Sequence, residues 1–250
     1  MARSGVDMIE LQIHSQPDDE TCGPTSLHAI YQYYGLTLSL EEVINTVARS
    51  LSGGTLAPML GQDARKRGFK TRIYVNNVTI FDPTWFRVGN HSLSHHGIGD
   101  KNLLIQKLKA QLNYKNTPDI LQESQSYIDY LNLGGEICFK TISVQLLKEY
   151  FKRHIPILTG LSATYLYRSP REIYTPNGKG SYDDIRGTPC GHFVVLCGYD
   201  NKNRLIVVAD PQQTNPLSKD NYYKVSSHRL INSIMLGVLT YDANLLIIQP

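Results

Sequence analysis

The sequence predicts an α+β fold in which amphipathic helices come first and antiparallel strands follow. In several segments of the first two thirds, apolar residues recur at helical spacing, as in the segment that begins at Cys22. The last third holds two apolar runs, 193–199 and 205–209, joined by a polar turn at 200–204. That arrangement is typical of a β-hairpin, so the final part of the chain is predicted to be mainly strands.

The elements can be assigned in chain order. A short strand is predicted at 9–13, followed by a helix from Cys22 to Tyr34, with Pro24 in its first turn and Gly35 as its C-cap. Further helices are predicted at 39–50, 57–67, 102–112, 119–131, 143–153 and 227–236. Further strands are predicted at 69–75, 155–161 and 245–248.

The composition is that of an ordinary globular protein, with 250 residues, 41% hydrophobic residues, 19% charged residues and a formal net charge of +3. The most basic stretch is only Arg65-Lys66-Arg67, so we expect no nucleic-acid partner. No apolar run approaches the roughly 18 residues of a membrane span, and the N-terminus lacks the apolar core of a signal peptide. We therefore expect a cytoplasmic location, with export by another route left open.

The cysteine and histidine patterns predict neither a metal site nor a cofactor. The cysteines at 22, 138, 190 and 197 show no CxxC spacing, which argues against a zinc site and against a disulfide framework. His91, His95 and His96 stand near Asp100, but their segment reads as a loop, and the i, i+4 pair shares a face only on a helix. Cys190 is expected to be a buried structural residue, with a role as a redox partner near His192 as the alternative.

The start of the first long helix is a candidate site. A polar turn from Gln16 leads into Cys22, which would lie at the positive end of the helix, where the dipole and unpaired N–H groups stabilise a thiolate. Asp18, Asp19 and Glu20 precede the cysteine; we expect them to be solvated, with one of them capping the helix. A second possibility is that their negative charges select a substrate that carries a cationic group. Cys22 alone fits a half-buried structural cysteine equally well.

A cysteine nucleophile needs a base, and the base needs an orienting group. His192 directly precedes the first apolar run of the hairpin, and Asp210 directly follows the second. Because the turn at 200–204 joins the two runs, both residues are predicted to lie at the same end of adjacent strands. Asp210 could then accept a hydrogen bond from one ring nitrogen, leaving the other nitrogen for a thiol. A structural histidine and an ordinary Asp-Pro turn are the alternatives.

Four short motifs carry a family resemblance. They are Gln16-x5-Cys22-Gly23-Pro24-Thr25, Gly191-His192-Phe193-Val194-Val195-Leu196, Gly198-Tyr199-Asp200 and Val208-Ala209-Asp210-Pro211. Together they resemble the C39-like branch of the papain-like cysteine peptidases. The resemblance implies a papain-like fold, in which an N-terminal helical part carrying the cysteine helix packs on a C-terminal antiparallel sheet. It also implies that Cys22 is the nucleophile, His192 the general base, Asp210 its orienting residue and Gln16 an oxyanion donor.

The resemblance sets the remaining expectations. We expect one C39-like cysteine peptidase domain over residues 1–250, with a helical insertion at about residues 100–132. It would stand alone, without the ABC-transporter parts of the best-known members, and would hydrolyse a peptide or related amide bond in a peptide or protein substrate. Acyl transfer by the same triad and a catalytically idle peptide-binding module remain alternatives. The Tyr-rich and basic loop at 168–189 reads either as a specificity loop for an acidic or C-terminal carboxylate group or as plain surface.

Overall fold

The computed structural model describes residues 6–51, 53–88, 92–93, 97–174, 180–237 and 243–250. The α-helices are α1 Cys22–Tyr33, α2 Leu40–Thr46, α3 Ala57–Lys66, α4 Lys101–Gln111, α5 Pro118–Asn132, α6 Val144–Phe151, α7 Ala163–Tyr167 and α8 Ser227–Leu236. The strands are β1 Val6–Met8, β2 Lys70–Val75, β3 Arg87–Val88, β4 Ser92–Leu93, β5 Glu136–Cys138, β6 Ile157–Ser162, β7 Glu172–Tyr174, β8 Gly180–Tyr182, β9 Gly191–Asp200, β10 Leu205–Ala209, β11 Tyr222–Ser226 and β12 Asn244–Gln249. The segment with His91, His95 and His96 lies outside the described residues.

The mixed helix-and-sheet architecture predicted from the sequence is confirmed. Its centre is an eight-stranded sheet in the order β11-β10-β9-β6-β12-β2-β5, with β1 paired to β9 off this path. All of these pairs are antiparallel except β2 with β5. The sheet is not confined to the C-terminal part of the chain, because β1, β2 and β5 come from the first 138 residues. β12 lies inside the sheet, between β6 and β2.

The predicted hairpin forms, but the predicted strand at 9–13 is wrong. β9 and β10 are antiparallel neighbours, and β9 is buried from Phe193 to Asp200. At the N-terminus the strand is β1 instead. The residues after it alternate between apolar and polar because every second side chain is buried, namely those of Ile9, Leu11 and Ile13. Their backbone bonds are irregular: the N–H of Ile9 donates to the Cys197 carbonyl, whereas that of Ile13 donates to the Tyr222 hydroxyl. In residues 9–13 the alternation of apolar and polar side chains therefore reflects alternating burial, and these residues form no regular strand pairing.

The helices α4 and α5 share the core of the rest of the molecule. Asp100 caps α4 by accepting a hydrogen bond of 2.8 Å from the N–H of Leu103. Leu104 and Leu108 of α4, and Tyr127 of α5, belong to the same buried cluster as the central strands. The expectation of a single domain with a helical insertion at about residues 100–132 stays a prediction. Among the described residues, no helix has the length and apolar character needed to cross a bilayer.

A buried polar network fixes α1 against its neighbours. The Tyr31 hydroxyl of α1 donates to Asp63 Oδ1 of α3 at 2.6 Å, and Arg67 Nε donates to the same oxygen at 2.7 Å. Arg67 also donates to the Thr46 hydroxyl at the end of α2. Tyr31 is fully buried and Asp63 is 5% exposed, so this carboxylate holds three helices together at a site that water scarcely reaches.

Replacing the central carboxylate should loosen this network. We expect Asp63→Ala to lower the free energy of unfolding by about 3 kcal/mol, because the Tyr31 hydroxyl and the Arg67 guanidinium both lose a partner. Urea-induced unfolding measures the change. Glu136→Ala is the matched control: it removes an arginine-paired carboxylate that is 48% exposed, which should change stability by at most about 1 kcal/mol. Equal losses in the two variants would contradict the network's role.

Candidate active site

The central hairpin brings His192 and Asp210 together. His192 is the second residue of β9, and Asp210 directly follows β10. His192 Nε2 lies 2.8 Å from Asp210 Oδ1, and the two residues are 6% and 0% exposed. Because an ionised carboxylate only accepts hydrogen bonds, Nε2 carries the proton and donates to it.

Asp210 is a fully buried carboxylate whose two oxygens receive four hydrogen bonds. Besides His192, the N–H of Gln212 donates to Oδ1 at 2.8 Å. The hydroxyls of Tyr167 and Tyr223 donate to Oδ2 at 2.6 Å and 2.7 Å. Burial raises the pKa of the Asp210 carboxyl, but the charge of His192 and the hydrogen bonds from His192, Tyr167 and Tyr223 together hold it below its ordinary value. The carboxylate is therefore kept charged away from water.

The two tyrosines are suited to this role because they remain protonated. Burial, and next to it the negative charge of Asp210, raise the pKa of Tyr167 and of Tyr223 well above the ordinary value. Tyr167 is the last residue of α7, and Tyr223 is the second residue of β11. Two elements outside the hairpin thus supply donors to the same carboxylate oxygen.

The other side of the His192 ring faces Cys22. With Nε2 bonded to Asp210, Nδ1 is the ring nitrogen left for the thiol, and Cys22 lies near enough to interact electrostatically with the ring. Burial lowers the pKa of His192, whereas the charge and hydrogen bond of Asp210, followed by the interactions with Cys22, raise it. The net direction is upward, so the imidazole is poised to hold a proton.

Cys22 is the first residue of α1 and is partly exposed. The N-cap residue, Thr21, makes no side-chain cap hydrogen bond, so the positive end of the helix is open towards the thiol. The expectation that one of the acidic residues caps α1 is wrong. Asp18 Oδ1 instead accepts from the N–H of Glu20, which keeps the acidic turn folded on itself.

Close packing holds the start of α1 against β9. A Cβ atom at Gly23 would lie 2.3 Å from Thr55 Cγ2, so only a glycine fits there without displacement. The buried hydroxyl of Ser26 donates to the carbonyl of Phe193, the residue after His192, at 3.2 Å. The Ser26 hydrogen bond thus ties the helix with the thiol to the strand with the imidazole, and the Gly23 contact packs the same helix start against Thr55.

Gln16 lies on the same cleft as His192. Its backbone N–H donates to the carbonyl of Pro211 at 2.9 Å, which ties the turn before Cys22 to the residue after Asp210. Its side-chain Nε2 donates to the carbonyl of Asp18 at 2.7 Å. An amide nitrogen has two hydrogens, so one donor of Gln16 is left for a ligand.

The cleft has a volume of about 270 Å³. Besides Gln16 and His192, its lining includes Asp19, Glu172 and Tyr182, from the acidic turn and from the β7–β8 hairpin. Cys190 also lines it and is partly exposed, so the prediction that this residue is buried is wrong. β9 begins only at Gly191, which leaves Cys190 in the connecting loop at the mouth of the cleft.

The sequence interpretation missed the two tyrosines as partners of Asp210. Tyr167 lies directly before the loop at 168–189, and no strand is predicted from the sequence around Tyr223. The alternating segment Tyr222–Ser226, which buries its second and fourth residues, was the available signal for β11. Among the described residues, no group of three or more His, Cys, Asp and Glu side chains is arranged to hold a metal ion.

Comparisons with known proteins identify what this chain resembles. The model of the Peptidase_C39 like family matches residues 8–231. A solved structure of the peptidase domain of Streptococcus ComA, a bi-functional ABC transporter involved in a quorum sensing pathway, is 14% identical, with a TM-score of 0.42 over 96% of this chain and 98% of that one. Xylellain, a cysteine protease from Xylella fastidiosa, is 14% identical, with a TM-score of 0.34 over 97% of this chain and 84% of that one. A search of curated proteins finds no match.

The hydrogen bonds to Asp210 can be tested through stability. Because the folded-state pKa of Asp210 is lowered, its charged form stabilises the protein above the unfolded-state pKa, and this stabilisation is lost as the pH falls through the folded-state pKa. We expect Tyr223→Phe to lower the free energy of unfolding by about 1.5–3 kcal/mol at pH 7, and by less below about pH 4. Urea titrations at several pH values measure this. Tyr114→Phe, at an 88% exposed position, should have no effect, and a loss independent of pH would contradict the assignment.

The charge of Asp210 should also control the protonation of His192. In Asp210→Asn we expect the pKa of His192 to fall, because burial, which lowers it, remains while the charge that raises it is gone. Titration of the His192 ring signals by NMR measures the shift. Tyr223→Phe keeps the Asp210 charge and should leave the pKa of His192 raised. An unchanged titration in Asp210→Asn would refute the coupling.

Proposed function

Because the chain belongs to the Peptidase_C39 like family, we propose that it is a cysteine peptidase that uses Cys22, His192 and Asp210 as its catalytic triad. Its substrate would be a peptide or protein, cleaved at a peptide or related amide bond. The observation that carries the proposal is the hydrogen bond from the His192 ring to the buried Asp210 carboxylate, together with the electrostatic interaction of the same ring with Cys22. Nucleophile, base and orienting group in this order form the arrangement that nucleophilic catalysis requires.

The first step is activation of the thiol. The raised pKa of His192 favours transfer of the Cys22 proton to the ring, which gives a thiolate–imidazolium pair. The open N-terminus of α1 stabilises the thiolate through its dipole and its unpaired N–H groups. Asp210 holds the imidazolium in place with its hydrogen bond to Nε2, so that the Nδ1 proton faces the sulfur.

The thiolate then attacks the carbonyl carbon of the scissile amide, and a negative charge develops on the carbonyl oxygen. The backbone N–H of Cys22 and the free Nε2 hydrogen of Gln16 are proposed to stabilise that oxygen. The hydrogen bond from Gln16 Nε2 to the Asp18 carbonyl supports this role, because it holds the amide group in place and leaves the second Nε2 hydrogen for the oxyanion.

Three proton transfers, all through His192, complete the reaction. His192 donates its Nδ1 proton to the leaving amine as the C–N bond breaks, which leaves an acyl thioester on Cys22. A water molecule then loses a proton to His192 and attacks the thioester. The C–S bond breaks, the carboxylic acid product leaves, and the sulfur recovers its proton through His192. The same residues thus act in both halves of the cycle.

The nucleophile can be identified by comparing Cys22 with Cys190, a cysteine of similar exposure that lines the cleft beside His192. We expect Cys22→Ala to abolish both peptide cleavage and rapid labelling by iodoacetamide, since Cys22 is the cysteine that interacts with His192 and raises its pKa. Cys190→Ala should retain both. Peptide mapping of the labelled protein and mass spectrometry of a cleaved peptide library measure the two properties. Full activity in Cys22→Ala would refute the proposal.

The oxyanion donor has a kinetic signature. Gln16→Ala should lower kcat/KM by a few hundredfold, because loss of one such donor costs about 2.7–4 kcal/mol in the transition state. Labelling of Cys22 by iodoacetamide should persist in this variant, since no oxyanion forms in that reaction. Gln32→Ala, at an exposed position on α1, is the control. A Gln16→Ala enzyme with wild-type turnover would exclude the role of Gln16 as an oxyanion donor.

The alternative reaction, acyl transfer to an amine, can be distinguished from hydrolysis by analysing the products formed with and without added amines.

A further inference from the structure

A second cavity, separate from the cleft, lies between the end of α7 and the start of α8. Its volume is about 390 Å³. Thr164, Tyr165 and Arg168 line it from α7 and the residue that follows, and His228, Arg229 and Asn232 line it from the first turns of α8. It shares no lining residue with the cleft that holds His192.

The charges around this cavity have one sign. Arg168 and Arg229 are permanently charged, and His228 adds a third group that can carry a positive charge. No carboxylate lines the cavity, and within the described ranges no salt bridge involves any of these three residues. Burial lowers the pKa of the Arg229 guanidinium, and the charge of Arg168 lowers it further. The two arginines therefore repel one another without a compensating anion.

Arg229 also has hydrogen-bonding capacity that the described residues do not use. Its Nε atom is buried and has no hydrogen-bond partner there. A buried donor without an acceptor is unfavourable, and a guanidinium presents its donors in a fork that matches the oxygens of a carboxylate or phosphate. The backbone N–H of Arg229 is already used, since it donates to the Ser226 hydroxyl that caps α8.

The start of α8 adds to the same electrostatic field. α8 has ten residues and begins at the cavity, so the positive end of its dipole acts in the same direction as the arginines. Thr164 and Asn232 supply uncharged polar groups on the opposite walls. The side chains and the helix end both favour a negatively charged ligand.

We propose that this cavity is a binding site for the oxyanion group of a small molecule, a carboxylate or a phosphate, held between Arg168 and Arg229. Its volume falls within the range of small-molecule pockets, roughly 300–1,000 Å³, so the ligand extends beyond the anionic group itself. Tyr165, which is 41% exposed, provides an aromatic wall for that remainder.

The site adjoins the catalytic machinery without belonging to it. Tyr167, which donates to Asp210, is the residue directly before Arg168. Tyr223, the second tyrosine donor, interacts electrostatically with both Asp210 and Arg229. The inference does not depend on the proposed peptidase chemistry, because neither Cys22 nor His192 lines this cavity.

Calorimetric titration at constant ionic strength tests the proposal, with inorganic phosphate and citrate as probes. We expect at least one of them to bind saturably at a single site. Arg168→Gln and Arg229→Gln should each weaken binding about tenfold or more, since each removes a charge-assisted hydrogen bond. Lys109→Gln, which removes one exposed positive charge on α4, should leave the affinity unchanged. Tighter binding of phosphate or of citrate assigns the class of anion.

Three outcomes would overturn the site: no saturable binding of either probe, wild-type affinity in Arg168→Gln, or an equal loss of affinity in Lys109→Gln. Arg229 is partly buried, so Arg229→Gln could disturb folding, which circular dichroism of the free protein detects. In that case Arg168→Gln decides, because Arg168 is exposed and its replacement leaves the core intact. Binding of the probes to the Cys22→Ala variant should equal that of the wild type, which separates this result from the proposed peptidase activity.

Discussion

The carboxylate of Asp210 has no exposed surface, and a charge in such a place is tolerated only when every oxygen is hydrogen-bonded. Its donors come from β9, from α7, from β11 and from the turn that Asp210 itself begins. These elements are packed around one side chain, so their arrangement cannot shift without leaving a buried charge unpaired. The rigid position of the His192 ring follows from this requirement.

The thiol side of the site is fixed by different means. Asp63 joins α1 to α2 and α3 through Tyr31 and Arg67, and the tight contact at Gly23 sets the depth of the helix start. Gln16 is attached by its backbone to Pro211, beside the buried carboxylate. A group of helices and the strands around Asp210 are thus stabilised by different contacts, and they bring Cys22 near His192.

The parts of this site that could be predicted are those with a local signal in the chain. Cys22 begins a periodic helix, and His192 and Asp210 stand at matching ends of two apolar runs joined by a short turn, so strand pairing brings them together. Tyr167 and Tyr223 carry no such signal, because their roles arise from contacts with a residue 43 and 13 positions away in the sequence. The wrong strand at 9–13 has a similar origin: alternating burial is visible in the sequence, whereas the irregular partners of Ile9 and Ile13 are not.

The position of β12 determines when the molecule can assemble. This strand follows all others in the sequence, yet it lies between β6 and β2, and its register with both spans Asn244 to Ile247. Until it is in place, β11-β10-β9-β6 and β2-β5 are two separate sheets, each with an open edge of unpaired backbone groups. During synthesis on the ribosome, these two sheets therefore cannot pair into one until β12 has been made. The thiol of Cys22 is made long before the framework that orients it can close.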